Sequence, residues 1–593
     1  MSKLRRKTFL KIGALVIFAP FNNSFLIQSA AAKHPGSPVF SDEILQRLIT
    51  ANDIQVKSLL QSINENSITF SRKIGYDFAA LSAAYVSPGS NYYHNPIIVT
   101  KLNLLTGALL SHQSTDGTVN IANLESPPDT AFLIELLSAA ATILAKDNSV
   151  ALNQINNSIK NFLVKAGGAL TTGGVHTPNH RWVICAALAR LNALYPDKKY
   201  ITRIEEWLGE GIYMDADGHF PERSGLYSGV ENNSLITMGR LLNKSFLFEP
   251  VRKNLEMTYY YMEPNGDLVT NDSRRQDQYA SKGIIPFYLH YRYMAIKDNN
   301  KKFSAITRQI EKMKGFEREV LDKGLFHFLE DSLLQRELSA EVQLSDNYEK
   351  FFTTSKLLRI RRGNITATLF GGVDWPLIIA SGRSNSPDFF SYRKGNAILK
   401  YMRLSSGFFG MGYFYSDGIK KEGSKYILHK KLEVPYYQPL PENLRNSKGD
   451  YKLSPSTDGR FWNKMDFAKR PVSNVKQLET IITLHEINGK VELNFQVTGL
   501  EGVPVTIELC FLEGGKLSGV SATEEGNSFL EKGLGLYEYG GDSIQFGPGS
   551  VTHKKISDLE GERYSTHFGS LRTEGMYTYI TGTTPFNHKL TFS

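Results

Sequence analysis

Leu357-Leu358-Arg359-Ile360-Arg361-Arg362, continuing through Gly363-Asn364 into Ile365-Thr366-Ala367-Thr368-Leu369-Phe370, is where the chain changes period. Spacing of two between like side chains marks a β-strand, because successive side chains point to opposite faces. Ala397–Leu404 alternates in the same way. Val491–Val497 and Val505–Leu512 are rich in β-branched and aromatic residues and flank the turn Gly499-Leu500-Glu501-Gly502. Almost nothing after Phe351 reads as a long helix.

Upstream, from about Ser41 to Val320, apolar residues recur at three and four, the spacing of amphipathic helices. In Ala131–Ala145, the residues Leu133, Leu136, Leu137, Ala140 and Leu144 form one stripe after Pro127-Pro128-Asp129-Thr130. Pro178–Tyr195, Tyr200–Glu210, Asn233–Leu242, Val251–Met262, Ile284–Ile296 and Phe303–Val320 have the same spacing. Roughly eleven or twelve such segments are joined by turns marked with Gly, Pro and Asp. The expectation is an α+β multidomain chain: paired helices over 33–330, then an antiparallel β region over 345–593.

The first thirty-two residues read as an export signal. Lys3, Arg5, Arg6, Lys7 and Lys11 form a basic head, Ile12 to Phe21 an apolar run, and Ala30-Ala31-Ala32 a small-residue cleavage site. The head is twin-arginine-like, with the Sec and Tat routes both open. The run is too short for a permanent membrane span, so the mature protein is expected in the periplasm or outside the cell, without a stable anchor. Those five basic residues take the formal charge from +9 to +9 − 5 = +4. So mild a balance, with no Lys/Arg block, argues against nucleic-acid binding and is compatible with a polyanionic substrate. The two cysteines, Cys185 and Cys510, lie in apolar runs and read as core residues rather than a disulfide framework.

Polar groups gather in three segments of the helical half. In Gly173-Gly174-Val175-His176-Thr177-Pro178-Asn179-His180-Arg181-Trp182, Thr177 is a plausible N-cap and Pro178 suits the first helical position. Asn179 and His180 then fall in the first turn, where the helix favours an anion. His176 and Trp182 are candidate substrate contacts beside them. The second segment, Asp217-Gly218-His219-Phe220-Pro221-Glu222-Arg223-Ser224-Gly225-Leu226-Tyr227-Ser228-Gly229, reads as a loop holding an acid, a base and a phenol. Asp215-Ala216-Asp217-Gly218 has the start of a calcium loop without the remaining ligand spacing, so no cofactor or metal is expected. The third, Asn271-Asp272-Ser273-Arg274-Arg275, offers two arginines able to clamp a carboxylate or sulfate. Capping, an ordinary surface loop and solvated charges are the respective non-functional readings.

Asp217-Gly218, Glu222-Arg223-Ser224 and Tyr227 together resemble the heparinase II/III-like lyases, where such a succession carries the catalytic tyrosine. Asn179-His180 looks like the Asn or Asn-His that binds the uronate carboxylate there. The stretch is also similar to the hyaluronate/chondroitin AC lyase family, whose arginine-rich segment would fall on Arg274-Arg275. That family's β-domain pattern is faintly matched by Ser391-Tyr392-Arg393-Lys394-Gly395 and by Gly407-Phe408-Phe409-Gly410-Met411-Gly412-Tyr413. The chain departs from both families. No His-x-His-x-Asp motif is found, and the family's loop histidine is replaced by Arg223 or the offset His219. A β-domain histidine, if used, would be His429, His485, His553 or His567.

The resemblance implies an N-terminal (α/α) toroid followed by β-sandwich domains, and an exported polysaccharide lyase acting on an acidic glycan by β-elimination. Asn179 and His180 would neutralise the uronate carboxylate, and Tyr227 would move the proton. A free phenol ionises at roughly pH 10, so such a tyrosine needs a cation; Arg223 is the nearest in sequence. Glu222, Arg274 and Arg275 would contact substrate. One rival is a glycoside hydrolase drawing a carboxylate pair from Glu205, Glu206, Asp215, Asp217 and Glu222. The other is a non-catalytic glycan-binding protein. The glycan, the endo or exo mode and the oligomeric state stay open.

Overall fold

Ser126 shows how the helical half is built: its side chain accepts the N–H of Asp129 at 3.2 Å, and Pro127 and Pro128 occupy the first turn behind it. The helix therefore starts at Pro127, a turn before the apolar stripe. The computed structural model describes residues 42–593 apart from 65–67, 276, 278–281, 373–377, 380–381, 384–386, 457–461, 524–526, 555 and 557–573. The export signal expected over 1–32 lies outside the described residues, as does His567.

Among the described residues there are twelve α-helices. In order they are α1 (Asp42–Ser62), α2 (Lys73–Val86), α3 (Pro96–Ser111), α4 (Pro127–Leu144), α5 (Asn153–Thr172) and α6 (Pro178–Leu194). There follow α7 (Lys198–Gly209), α8 (Gly225–Leu241), α9 (Phe248–Tyr261), α10 (Tyr288–Lys297), α11 (Lys301–Glu311) and α12 (Asp322–Glu330). The even-numbered helices α2, α4, α6, α8 and α10 pack in succession, and α5, α7, α9 and α11 each lie against an even-numbered neighbour. Within that row α4 and α6 are extensively buried. Cys185 of α6 is a free, buried thiol, as expected. α12 lies against α1, α2 and α4, and its Glu330 pairs with Arg190 of α6 and, at 2.8 Å, with Arg240 of α8.

The strand-rich part contains two large sheets, nine-stranded and eight-stranded among the described residues. The first runs from the edge Asn347–Phe352 through Leu357–Arg362, Ile365–Phe370, Phe390–Lys394, Ala397–Ser406 and Pro504–Phe511 to Met576–Thr583 and two short strands. The second is centred on Lys425–Tyr437, Val472–Ile487, Lys490–Gly499 and Phe586–Phe592. Pairing is antiparallel apart from a short parallel contact of Ser528–Phe529 with Met576–Thr583. Leu404, Ile507 and Leu509 of one sheet share a core with Ile482, Leu493 and Leu590 of the other. Cys510 is a free thiol buried on its strand.

Leu358 and Ile360 enter the inter-sheet core, so Arg359 points to the other face, which the helical part covers. Arg359 is 0% exposed and donates to Oε1 of Glu263 at 2.9 Å, while Thr366 donates to Oε2 of the same carboxylate at 2.6 Å. Arg393 adds a bond to Asp267 at 2.9 Å. Burial alone would raise the Glu263 carboxyl, but the charges of Arg359 and Arg393 outweigh it and hold it at about 2.

A group held below its ordinary value of 4.5 contributes stability that is present above pH 4.5 and lost as pH falls toward 2. Arg359→Met strands that charge in the interior. The expected loss is about 3–5 kcal/mol in denaturant unfolding at pH 7, with the gap from wild type narrowing as pH drops below 4.5.

Candidate active site

Tyr227 does not lie in a loop. α8 begins at Gly225, eight residues before the apolar pattern, and Tyr227 is in its first turn. Ser224 caps it, accepting the N–H of Tyr227 at 3.3 Å. Asp277 accepts from Ser224 Oγ at 2.9 Å and from the N–H of Gly225 at 3.1 Å, so the positive end of α8 already holds a carboxylate. Ser273, inside the third polar segment, also bonds Asp277 through its hydroxyl, and Asp277 itself lies just beyond that segment, with nothing local in sequence to mark it.

The cation at Tyr227 is Arg275, not Arg223. Its Nη2 donates to the phenol oxygen at 2.9 Å, and its Cζ stands 4.0 Å from the ring centroid. Nη1 of the same guanidinium pairs with Glu222. The other Glu222 oxygen accepts from Nδ2 of Asn179 at 2.6 Å. Asn179, Glu222, Arg275 and Tyr227 therefore form one chain of contacts, drawn from three separate segments. Arg223 instead has a positive φ of 47° and sits 3.5 Å from Asp215. Arg274 donates to the carbonyl of Pro221 at 2.8 Å, and its N–H bonds the carbonyl of Glu222 at 3.1 Å.

The start of α6 departs from expectation in three ways. Thr177 occupies the cap position in extended conformation, but its side chain caps no N–H of the helix. Asn179 is wholly buried, with its amide N–H groups on Glu222 and, at 3.3 Å, on Thr177. Trp182 is 1% exposed within the helical core, which rules it out as a sugar-stacking surface. His180 packs edge-on against His176 at 4.8 Å between ring centroids. Burial, then the neighbouring His176, pushes it down to about 4, so at neutral pH it is an uncharged imidazole able to exchange hydrogen bonds but not to supply charge. His176 itself is exposed.

Glu222, proposed above as a substrate contact, is buried between Asn179 and Arg275 and works as their common anchor. His219 is also buried: Nε2 lies 2.9 Å from the Tyr261 hydroxyl, which donates to Asp272 at 2.8 Å. Asp215 accepts from the N–H groups of Asp217 and His219 at 3.0 and 2.9 Å, a local turn in place of a calcium loop. Asp217 accepts the N–H groups of Thr354 and Ser355, both at 2.8 Å, and ties the segment to the strand-rich part. Glu205 and Glu206 sit on α7 beside Lys244 and Arg203. The carboxylates considered for hydrolysis are thus engaged in separate places. His429 and His485 belong to the eight-stranded sheet, facing Glu479 at 2.8 Å and Ser424 at 3.2 Å. His553 lies 3.1 Å from the carbonyl of Gly582.

Compared with known proteins, the chain matches no family model and no curated protein. Solved structures do match. Heparinase III superposes with a TM-score of 0.54 and 13% identity, over 95% of this chain and 87% of that one. The chain has a polysaccharide-lyase fold. Chondroitin AC lyase of Streptomyces coelicolor A3, in complex with chondroitin sulphate, shares the lyase fold at TM-score 0.50 and 13% identity, over 93% and 79% of the two chains. The Paenibacillus xanthan lyase shares it at TM-score 0.50 and 10% identity, over 93% of this chain and 57% of that one. These likenesses run over nearly the whole chain and are likenesses of fold.

Proposed function

We propose that the protein is an exported polysaccharide lyase that cleaves a uronic-acid-containing glycan by β-elimination. The observation that carries this reading is the guanidinium of Arg275 on the Tyr227 hydroxyl at 2.9 Å. The contact fixes the phenol oxygen against a cation, and in this reading Tyr227 takes the proton α to the carboxylate. The electrons form the new carbon–carbon double bond as the glycosidic carbon–oxygen bond breaks. Tyr227 then returns a proton to the leaving oxygen.

The same reading takes the row of paired helices as an (α/α) toroid and the two sheets as an antiparallel β-sandwich. Residues 1–32 direct the chain to the periplasm or beyond, and no cofactor is needed. Asn179 and His180 receive the uronate carboxylate, with Asn179 exchanging Glu222 for the substrate as it binds. The chondroitin sulphate held by the Streptomyces enzyme supports an acidic glycan as substrate. Glu222 is held between Arg275 and Asn179, and Asp215, Asp217, Glu205 and Glu206 have other partners, which weighs against the hydrolase.

The test is ultraviolet absorbance during digestion of a panel of uronic-acid glycans. Elimination creates an absorbing unsaturated uronate, and its appearance with new reducing ends is the expected result. Reducing ends without absorbance would replace the lyase with a hydrolase, and binding without cleavage would leave a glycan-binding protein.

A further inference from the structure

Behind the Arg275–Tyr227 contact lies a second set of buried groups that the proposed reaction does not use. His219, Tyr261 and Asp272 are almost fully buried. The single proton of the Tyr261 hydroxyl is donated to Oδ2 of Asp272 at 2.8 Å. The 2.9 Å contact between that hydroxyl and His219 therefore requires Nε2–H of the imidazole as donor. The same nitrogen is 3.4 Å from Asp272 Oδ2. Burial pushes His219 below its ordinary value and Asp272 above its own.

The placement of these three residues gives them a use. His219 is three residues before Glu222, and Asp272 is three residues before Arg275. Glu222 and Arg275 are themselves paired, and between the two rungs the N–H of Arg274 bonds the carbonyl of Glu222 at 3.1 Å. The two loop segments thus form a ladder, with the buried triad as one rung and the Glu222–Arg275 pair as the other. Tyr261, the last residue of α9, fastens the first rung to the helical frame. A turn bond from Ser273 N–H to the carbonyl of Thr270, at 3.1 Å, holds the backbone around Asp272, and the N–H of Arg275 donates to Ser273 Oγ at 3.2 Å.

Resting on the lyase reading above, we propose that His219, Tyr261 and Asp272 are positioning residues, which fix the spacing of the two loops and so hold Arg275 on Tyr227. None of the three touches substrate in this role. Their effect on the reaction passes through the guanidinium.

Three variants test it: Tyr261→Phe, which removes both hydrogen bonds, His219→Ala, and His219→Gln, whose side-chain N–H can replace Nε2–H. Displacement of a reacting group by about 1 Å can cost about a hundredfold in rate. For Tyr261→Phe and His219→Ala the expected result is a fall in kcat of about ten- to a hundredfold with KM within about threefold. His219→Gln is expected to recover kcat to within about threefold of wild type, a rescue in rate that loss of packing alone would not give. Crystal structures of wild type and Tyr261→Phe provide an arm independent of activity, and Arg275 should be displaced from the Tyr227 hydroxyl in the variant. If Tyr261→Phe does not fold, the two His219 variants decide by the same kinetic and crystallographic measurements. Wild-type kcat in the deletion variants, or Arg275 unmoved in their crystals, would overturn the positioning role. If wild type eliminates no glycan, the lyase reading falls, while the position of Arg275 in the variant crystals still decides the role of the triad.

Discussion

Tyr227→Phe should fold as wild type does and turn over substrate about a hundred to ten thousand times more slowly, the range for loss of a positioned acid–base group. Phenylalanine keeps the ring against which the Arg275 guanidinium stands at 4.0 Å, and the Ser224 cap on the residue 227 N–H is a backbone contact. The helix start and local packing should therefore survive. What disappears is the oxygen that accepts from Arg275 at 2.9 Å. Arg275→Ala should also be strongly impaired, through a different route: it keeps the phenol but removes the guanidinium that bonds it, and leaves Glu222 buried without its cation. The check is initial rate by absorbance beside circular dichroism and thermal unfolding. A folded Tyr227→Phe enzyme with near wild-type turnover would remove this residue from the mechanism, whatever the fold.

The change of period at Leu357 was legible because a strand between two covered faces still segregates its side chains by face. That Arg359 faces protein and not water was not legible, since its neutralising partner Glu263 is 96 residues away. Alternation records two different faces, not which of them is wet. At the candidate site, Glu222 and Ser224 mark Tyr227 in the sequence, but Gly225 and Gly229 hide its helix. Glycine disfavours the helix interior and dilutes the apolar spacing, so the Ser224 cap and Asp277 were needed to reveal where α8 begins. Arg223 is the arginine nearest to Tyr227 in sequence, but sequence distance is not spatial distance. The backbone turns Arg223 toward Asp215 and brings Arg275 to Tyr227 from 48 residues beyond it. Trp182 fails for a different reason: adjacency to a polar helix start says nothing about which side of the helix a ring takes.

Substrate charge supplies the sharpest division between elimination and hydrolysis. Reduction of a cleaved glycan's uronate carboxylates to neutral alcohols is expected to abolish cleavage, with a loss of at least about ten-thousand-fold in kcat/KM. A site that hydrogen-bonds a substrate group leaves its own polar atoms unpaired when that group is missing, and such sites reject the analogue by about four to five orders of magnitude. Here the groups at stake are Asn179, whose amide is buried on Glu222, and His180, uncharged because burial and His176 push it down to about 4. Neither carries a charge at neutral pH, so recognition by these two rests on geometry. The chemistry adds an independent reason: without the carboxylate's carbonyl, the carbanion formed on proton removal has nowhere to delocalise. Hydrolysis of a glycosidic bond has no such requirement. Native and carboxyl-reduced forms of one glycan should be digested side by side and new reducing ends counted. Equal cleavage of both would sink the elimination mechanism and return attention to Asp215, Asp217 and Glu222. Selective loss on the reduced glycan, together with loss of native activity in a folded Asn179→Ala variant, would tie the discrimination to the first turn of α6.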